Sequence, residues 1–293
     1  MELRQLRTFE AVVRHRTVTD AAHALGLAPS SVSAQVRALE AALGVPLFAR
    51  GPRGMEPTEA GERLRTWART LLEQAERARR DVRGERAPLR LGALETLAGT
   101  HVPPVLARLA GRRPDLAVEV RPERSRAVLL DDVAGGRLDA ALLLDTGDAL
   151  GGLGFAAGDG SLAFVDVEPV PLALVAAPSH PLAGRPALTA DDLRGERLLV
   201  NVPECSFWMA GTRALGPGLE RIRAGGVPVM RAWAEHGLGI SLLPRFAIAD
   251  SLATGALVPL ALPFPDLSLR LVWQANTDHH PPIRALLYAA AHT

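Results

Sequence analysis

Ser30, Ser31, Ser33, Gln35 and Arg37 crowd a single short stretch of this chain. Hydroxyls and a carboxamide both donate and accept hydrogen bonds, and a guanidinium donates in a planar fork. Such a set can engage the phosphate oxygens and base edges of duplex DNA. Nothing else in the sequence is assembled as plainly for a reaction. There is no Gly-rich phosphate loop, no serine nucleophile elbow and no His-Glu-x-x-His metal pair. Cys205 is the only cysteine, so it can form no intrachain disulfide and no Cys-based metal cluster, and it reads as a buried structural thiol. His279 and His280 are adjacent rather than helically spaced and are flanked by Asp278 and Pro281, the setting of a solvated loop rather than a metal site. The chemistry expected is binding: no catalytic residue, no metal and no cofactor, and hence no enzyme.

The polar set needs a rigid support, and the surrounding pattern supplies one. Leu3, Leu6, Phe9, Val12 and Val13 recur every three or four positions, which predicts an amphipathic first helix. Thr17 or Thr19 can cap a second helix running to Leu25, with Ala21 and Ala22 small enough for close packing and Gly26 to end it. Pro29 suits the first turn of a third helix, whose buried stripe is Val32, Val36, Leu39 and Leu43 and whose opposite face shows the polar set to solvent. Three short helices with a Gly-containing turn before a polar-faced third predict a helix-turn-helix, with an unspecialised helical bundle as the alternative.

Composition fits a multi-domain globular chain. With 293 residues, two or three folded units are expected. The charged, amphipathic N-terminus is unlike a signal peptide, and no run of about 18 apolar residues occurs, so a cytoplasmic protein without a membrane span is expected. The net charge of +1 hides an asymmetry. Residues 1–86 hold fifteen Arg against eleven acidic residues, and the remainder eighteen against twenty-one, which suits a DNA-binding head on a mildly acidic body.

Thr58 and Glu59 open a long helix carrying Leu64, Trp67, Leu71, Leu72 and Ala75, followed by an Arg-rich stretch to Gly84. At 1.5 Å per residue it spans roughly 40 Å with no domain of its own to pack on, so its apolar stripe wants a partner. From Leu89 short apolar runs alternate with helices: LRLGAL, Val102–Leu109, AVEVRP, Ala127–Gly135 and DAALLL. A second set follows in VPLALVAAP, ERLLVNV, a helix starting near Gly225 or Val227, GISLLP and ALVPLAL, and then LRLVWQA and a terminal helix over Pro281–Ala291 return to the first lobe. This alternation predicts two α/β lobes with parallel strands, and a cleft where the carboxyl ends of the strands meet.

The segment AAHALGLAPSSVSAQVRALEAALGVPLFAR, followed by EPTEAGERL, closely resembles the N-terminal signature of LysR-type transcriptional regulators. SHPLA and GLGISLLP resemble, more loosely, stretches of their effector domains. The resemblance implies an all-α winged helix-turn-helix over 1–58, with a linker helix over 59–87 that pairs antiparallel with a second copy. A two-lobed α/β effector-binding domain of the periplasmic-binding-protein type (type 2) would then occupy 88–293. Lobe I would take about 88–165 and 267–293, and lobe II about 166–266, with crossovers near Phe164–Glu168 and Leu262–Leu267. It further implies a β-wing in which Arg50 and Arg53 reach the DNA backbone or minor groove, where contacts position the protein without reading sequence. Its partners would be a dyad-symmetric promoter, a second copy of the chain in a homodimer and beyond that a homotetramer, and a small effector; the setting would be the nucleoid. Pro29 and Ala34 depart from the polar pair common in the family, and Ala28 stands where a capping hydroxyl is expected, so base readout is thinned.

Geometry nominates the effector contacts. Glu95, Thr96 and Thr100 follow the first strand of the body, and Ser125 and Arg126 precede the helix after its second. Asn201, Val202, Glu204 and Phe207 follow a strand of the other lobe, and Val227 with Pro228 opens a helix whose free N–H groups can hold an anion. Many LysR-type regulators sense carboxylates, which would suit Arg126. Glu95 and Glu204 oppose a bare anion, and a polar or zwitterionic ligand is expected. A solute-binding or transport component would share the body's fold but needs export, and an enzyme needs a catalytic set. The head favours a regulator.

Overall fold

The structure, a computed structural model, describes residues 1–51, 54–84, 87–157, 160–216 and 218–291. The chain divides into two units, Met1–Ala87 and Pro88–Thr293.

In the first unit α1 (Leu3–His15), α2 (Val18–Leu25) and α3 (Pro29–Leu43) precede a hairpin of β1 (Phe48–Gly51) and β2 (Gly54–Pro57), and α4 (Glu59–Val82) follows. Thr17 caps α2 by accepting from the Asp20 N–H at 3.0 Å, and Gly26 ends it in the left-handed conformation. Phe9 and Val12 of α1, Ala21 and Ala22 of α2, and Val32, Val36 and Leu39 of α3 form the buried interior. Leu43 does not complete the predicted stripe: in the last turn of α3, just before Gly44 redirects the chain, it is 39% exposed.

Two glycines and two polar side chains dock the hairpin and α4 on the bundle. Gly54 has φ +102°, and a Cβ there would fall 2.4 Å from the Arg16 carbonyl, which accepts from Met55 N–H at 2.7 Å. At Gly61 a Cβ would meet the Leu47 carbonyl at 2.2 Å, so the EAG of the sequence is a close-approach requirement. Glu40 of α3 accepts from Leu47 N–H at 2.8 Å. Thr58 accepts from Gly61 N–H at 3.0 Å and donates to the Pro46 carbonyl at 2.8 Å, capping α4 as expected. Leu64 and Ala68 of α4 are buried with Leu6 and Phe9 in one apolar cluster, whereas Trp67 is 66% exposed.

The second unit contains two five-stranded sheets. The first runs in the order β4 (Val118–Glu123), β3 (Leu89–Leu94), β5 (Ala140–Asp145), β12 (Leu267–Gln274), β6 (Leu162–Val170). Alongside lie α5 (Glu95–Ala98), α6 (Val102–Arg112), α7 (Arg126–Ala134) and the C-terminal α11 (Pro281–Ala290). The second sheet runs β11 (Val258–Pro259), β7 (Leu172–Ala176), β10 (Ile240–Pro244), β8 (Arg197–Val200), β9 (Glu220–Arg223), with α8 (Ser206–Leu215), α9 (Val227–Glu235) and α10 (Ala249–Ala253). Strand β3 is parallel to both its neighbours, but β12 returns antiparallel to β5 and β6, and β7 lies antiparallel to β10, so each sheet is mixed rather than parallel throughout. The chain leaves the first sheet at Pro171, later than 164–168, because β6 stays paired with β12 up to Val170, past a bulge between Leu269 and Arg270. It returns between Pro259 and Leu267.

At the centre of the first sheet sits a fully buried ion pair. Arg270 on β12 and Asp145 at the end of β5 are both 0% exposed and meet at 2.8 Å. Arg270 also donates to Asp166 at 2.7 Å and to the carbonyls of Ala149 (2.7 Å) and Gly147, with its guanidinium 4.3 Å from the Phe164 ring centroid. Asp145 accepts two further N–H groups, Gly151 at 2.8 Å and Leu153 at 2.9 Å. A buried charge is tolerated only when paired and fully hydrogen-bonded, and this pair meets that condition. Asp145→Ala removes the only buried carboxylate on the guanidinium, leaving it the half-exposed Asp166, and deprives the Gly151 and Leu153 amides of their acceptor, so urea denaturation should show the second unit destabilised by about 3 kcal/mol. A change within about 0.5 kcal/mol would show that the pair is not structural.

Candidate nucleic-acid interface and ligand cleft

Helix α3 begins without a side-chain cap, since Ala28 has none to offer, and Pro29 occupies its first position. Ser30, Ser31 and Arg37 are exposed and Ser33 is half-buried, so four members of the polar set lie on the open side of α3. Gln35 differs. Its Oε1 accepts from Thr8 Oγ1 of α1 at 2.8 Å, which ties the carboxamide to the bundle and removes its acceptor from any base. Arg50 lies on β1 opposite Met55 in the hairpin register, its side chain outside the described residues, as is Arg53 altogether.

In the second unit a cleft of about 520 Å³ opens between the lobes. It gathers eight of the residues nominated from the sequence: Glu95, Thr96 and Thr100 from one lobe, and Asn201, Glu204, Phe207, Val227 and Pro228 from the other. Three stand elsewhere. Val202 is 36% exposed and off the cleft wall. Ser125 caps α7, accepting from Val128 N–H at 3.3 Å. Arg126 is 2% exposed and spans the lobes beneath the cleft. It donates to Ser206 Oγ at 2.5 Å, to the Glu204 carbonyl at 3.5 Å and to Met209 sulfur at 3.3 Å, with its guanidinium 4.3 Å from the Phe155 ring centroid. Burial pulls its pKa below the ordinary value, with the Asp145 charge opposing. The expected pairing of Arg126 with a ligand carboxylate is therefore replaced by neutral protein acceptors.

The cleft also holds Glu123, Arg124, Ser206, Arg231, Phe246 and Asp250, which the strand-end rule does not reach because it ignores side chains arriving from neighbouring loops and helix flanks. Arg124 pairs with Glu95 at 3.0 Å. His101, beside Thr100, stacks edge-on against Phe246 at 4.5 Å and meets Glu168 at 3.2 Å; burial lowers its pKa, with Glu168 opposing. Among the described residues no group of three or more potential metal ligands exists, and no helix is long and apolar enough to cross a membrane.

The helical head matches the family model for bacterial regulatory helix-turn-helix proteins of the LysR family over residues 3–62, and the two-lobed unit matches the LysR substrate binding domain over residues 83–292. The chain belongs to the LysR family of transcriptional regulators. YwqM of Bacillus subtilis (strain 168), an uncharacterized HTH-type transcriptional regulator, is 26% identical over 98% of this chain and 97% of its own length. A probable hydrogen peroxide-inducible genes activator of Mycobacterium avium is 30% identical, with 96% of this chain and 90% of that protein covered. The fold matches that of a full-length OxyR from Pseudomonas aeruginosa, solved with one cysteine replaced by aspartate, with a TM-score of 0.67, at 22% identity over 99% of this chain and 94% of that one. A LysR-type chain thus carries a DNA-binding head and an effector-binding body, and the cleft lies within the body's matched region.

Cys205 of this regulator lies on the cleft wall at the start of α8. Burial pushes its thiol above the ordinary value of 9.0, against the opposing N–H groups of Phe207 and Trp208, the Arg126 charge and Asn201. Only the thiolate is nucleophilic. Alkylation of native protein by iodoacetamide at pH 8 should therefore run slower than that of free cysteine, and the rate should rise with pH. A rate equal to free cysteine at pH 8 would contradict a half-buried thiol whose pKa is raised by its surroundings.

Proposed function

We propose that this LysR-type regulator binds a dyad-symmetric promoter site as a homodimer and alters its grip on, or bending of, that DNA when a small polar or zwitterionic effector enters the cleft. The observation that carries the reading is the cleft itself, at the carboxyl ends of β3, β4 and β8 and lined from both lobes, in the same chain as the helix-turn-helix. A ligand that touches both lobes favours one lobe arrangement over another, which is the requirement for a switch.

Functionally the chain divides into a DNA-binding head at 1–58, a linker helix at 59–87 and the effector body at 88–293. Ser30, Ser31, Ser33 and Arg37 contact phosphate or base edges, with Arg50 and Arg53 contributing from the hairpin, and sequence is read partly through DNA shape and half-site spacing. The half-exposed apolar edge of α4, with Trp67, pairs with a second copy, and two such pairs assemble as a tetramer on longer sites. The regulator works by binding without turnover, on the nucleoid in the cytoplasm. Peroxide sensing, suggested by the Mycobacterium avium relative, is not favoured: desolvation raises the pKa of the lone thiol, and the sequence holds no second cysteine to pair with it.

Ser33→Glu places a carboxylate against the phosphate backbone while leaving the core of α3 unchanged. Gel retardation of the intergenic DNA beside the gene should be lost, with the assembly size by light scattering unchanged. Undiminished retardation would remove α3 from the DNA interface.

A further inference from the structure

The charges lining the cleft do not balance. Each of its two cations lies beside an acid: Arg124 is hydrogen-bonded to Glu95 at 3.0 Å, and Arg231 stands 3.7 Å from Glu235 with its Nε making no hydrogen bond. Of its acids, Glu123 accepts the N–H groups of Arg124 and Ser125 at 2.6 and 3.1 Å, which leaves Glu204 before α8 and Asp250 in the first turn of α10. Among the described residues, neither of these carboxylates has a hydrogen-bond or ion-pair partner. The unmet charge of the cleft is negative, and it sits on the second lobe.

Ser206 is an independent signal of opposite sense. It is 2% exposed, lines the cleft, and its oxygen accepts from the buried guanidinium of Arg126. A hydroxyl has one proton to give, and none of the described residues accepts it. Accepting from a cation makes that O–H a stronger donor, so the Arg126 charge, which has no carboxylate within hydrogen-bond reach, is relayed to the cleft wall through Ser206. A buried hydroxyl donor without an acceptor calls for one from the ligand. Leu94, Leu97, Phe207 and Phe246 supply apolar wall for a hydrocarbon body.

We infer that the effector is a zwitterion, its cationic nitrogen held by Glu204 and Asp250 and its carboxylate accepting from Ser206. This rests on the cleft being the effector site. Bare mono- and dicarboxylates bind more weakly, because they meet two unpaired carboxylates and leave these without a cation.

The test is a thermal-shift titration of the full chain with the twenty amino acids, each beside its decarboxylated amine and its deaminated acid. At least one amino acid should stabilise the protein, since a ligand bound only to the folded state must. Its amine and acid counterparts should bind roughly tenfold or more weakly. In the Glu204→Gln, Asp250→Asn double variant, both positions being exposed and safe for folding, the amino acid should fall to the level of its acid counterpart. In Ser206→Ala it should fall to the level of its amine. Stabilisation by no amino acid, an acid counterpart binding as tightly, or an undiminished affinity in the double variant would overturn the inference. Gel retardation on the same preparations separates the two failures. An acid-only ligand whose binding is lost in Thr96→Val leaves the cleft reading standing, whereas lost retardation of promoter DNA by the unmodified chain counts against the regulator itself.

Discussion

The buried pair of Arg270 and Asp145 is the interaction on which the effector body depends. Its charges lie in the middle of the first sheet, where an unpaired ion would cost several kcal/mol, so everything around them is arranged to saturate their hydrogen bonds. The carbonyls of Gly147 and Ala149 and the N–H groups of Gly151 and Leu153 are all consumed, which locks the loop after β5 into one shape. That loop then reaches the other lobe. Its Gly152 carbonyl accepts from Arg213 of α8, and Phe155 at its end supplies the ring under Arg126. The position of α8, and with it the cleft wall at Ser206 and Phe207, follows from a charge pair buried in the opposite lobe.

Arg126 is the counterpart of that pair and differs from it in kind. It is buried without a carboxylate, held by a hydroxyl, a carbonyl, a sulfur and an aromatic face. Neutral acceptors compensate a buried cation less than an anion does, so the contact between the lobes is held less firmly than the core of either. A regulated cleft needs that ordering of strengths: rigid lobes, with a junction whose balance a ligand can bias by its differential contacts.

Much of this was legible in the residues. Periodicity and capping located α1, α2 and α3, and alternating apolar runs located β3, β4, β5, β7, β8, β10 and β12, because those patterns reflect local burial. The polar face of α3 was also visible, apart from Gln35, whose bond to Thr8 depends on how two helices cross. What stayed hidden was set by long-range pairing. Strand β6, with exposed Val165 and acidic Asp166 and Glu168, lacks a clean alternation and is a strand only because β12 returns beside it. Arg270 lies inside the apolar run LRLVWQ, where its partner more than a hundred residues away has no local signature. Strand ends led to eight residues that line one cleft, whereas Ser125 and Arg126 turn from it, one to cap α7 and the other to join the lobes.

The central claim, that the head is a sequence-selective DNA-binding module, is tested most directly by fluorescence anisotropy. A labelled duplex from the intergenic region beside the gene and a scrambled duplex of equal length would be titrated at several salt concentrations. Both affinities should fall as salt rises, since phosphate contacts release counterions, and the intergenic duplex should bind at least about 1,000-fold more tightly at physiological salt. Equal affinity for the two duplexes, or affinity indifferent to salt, would contradict that claim.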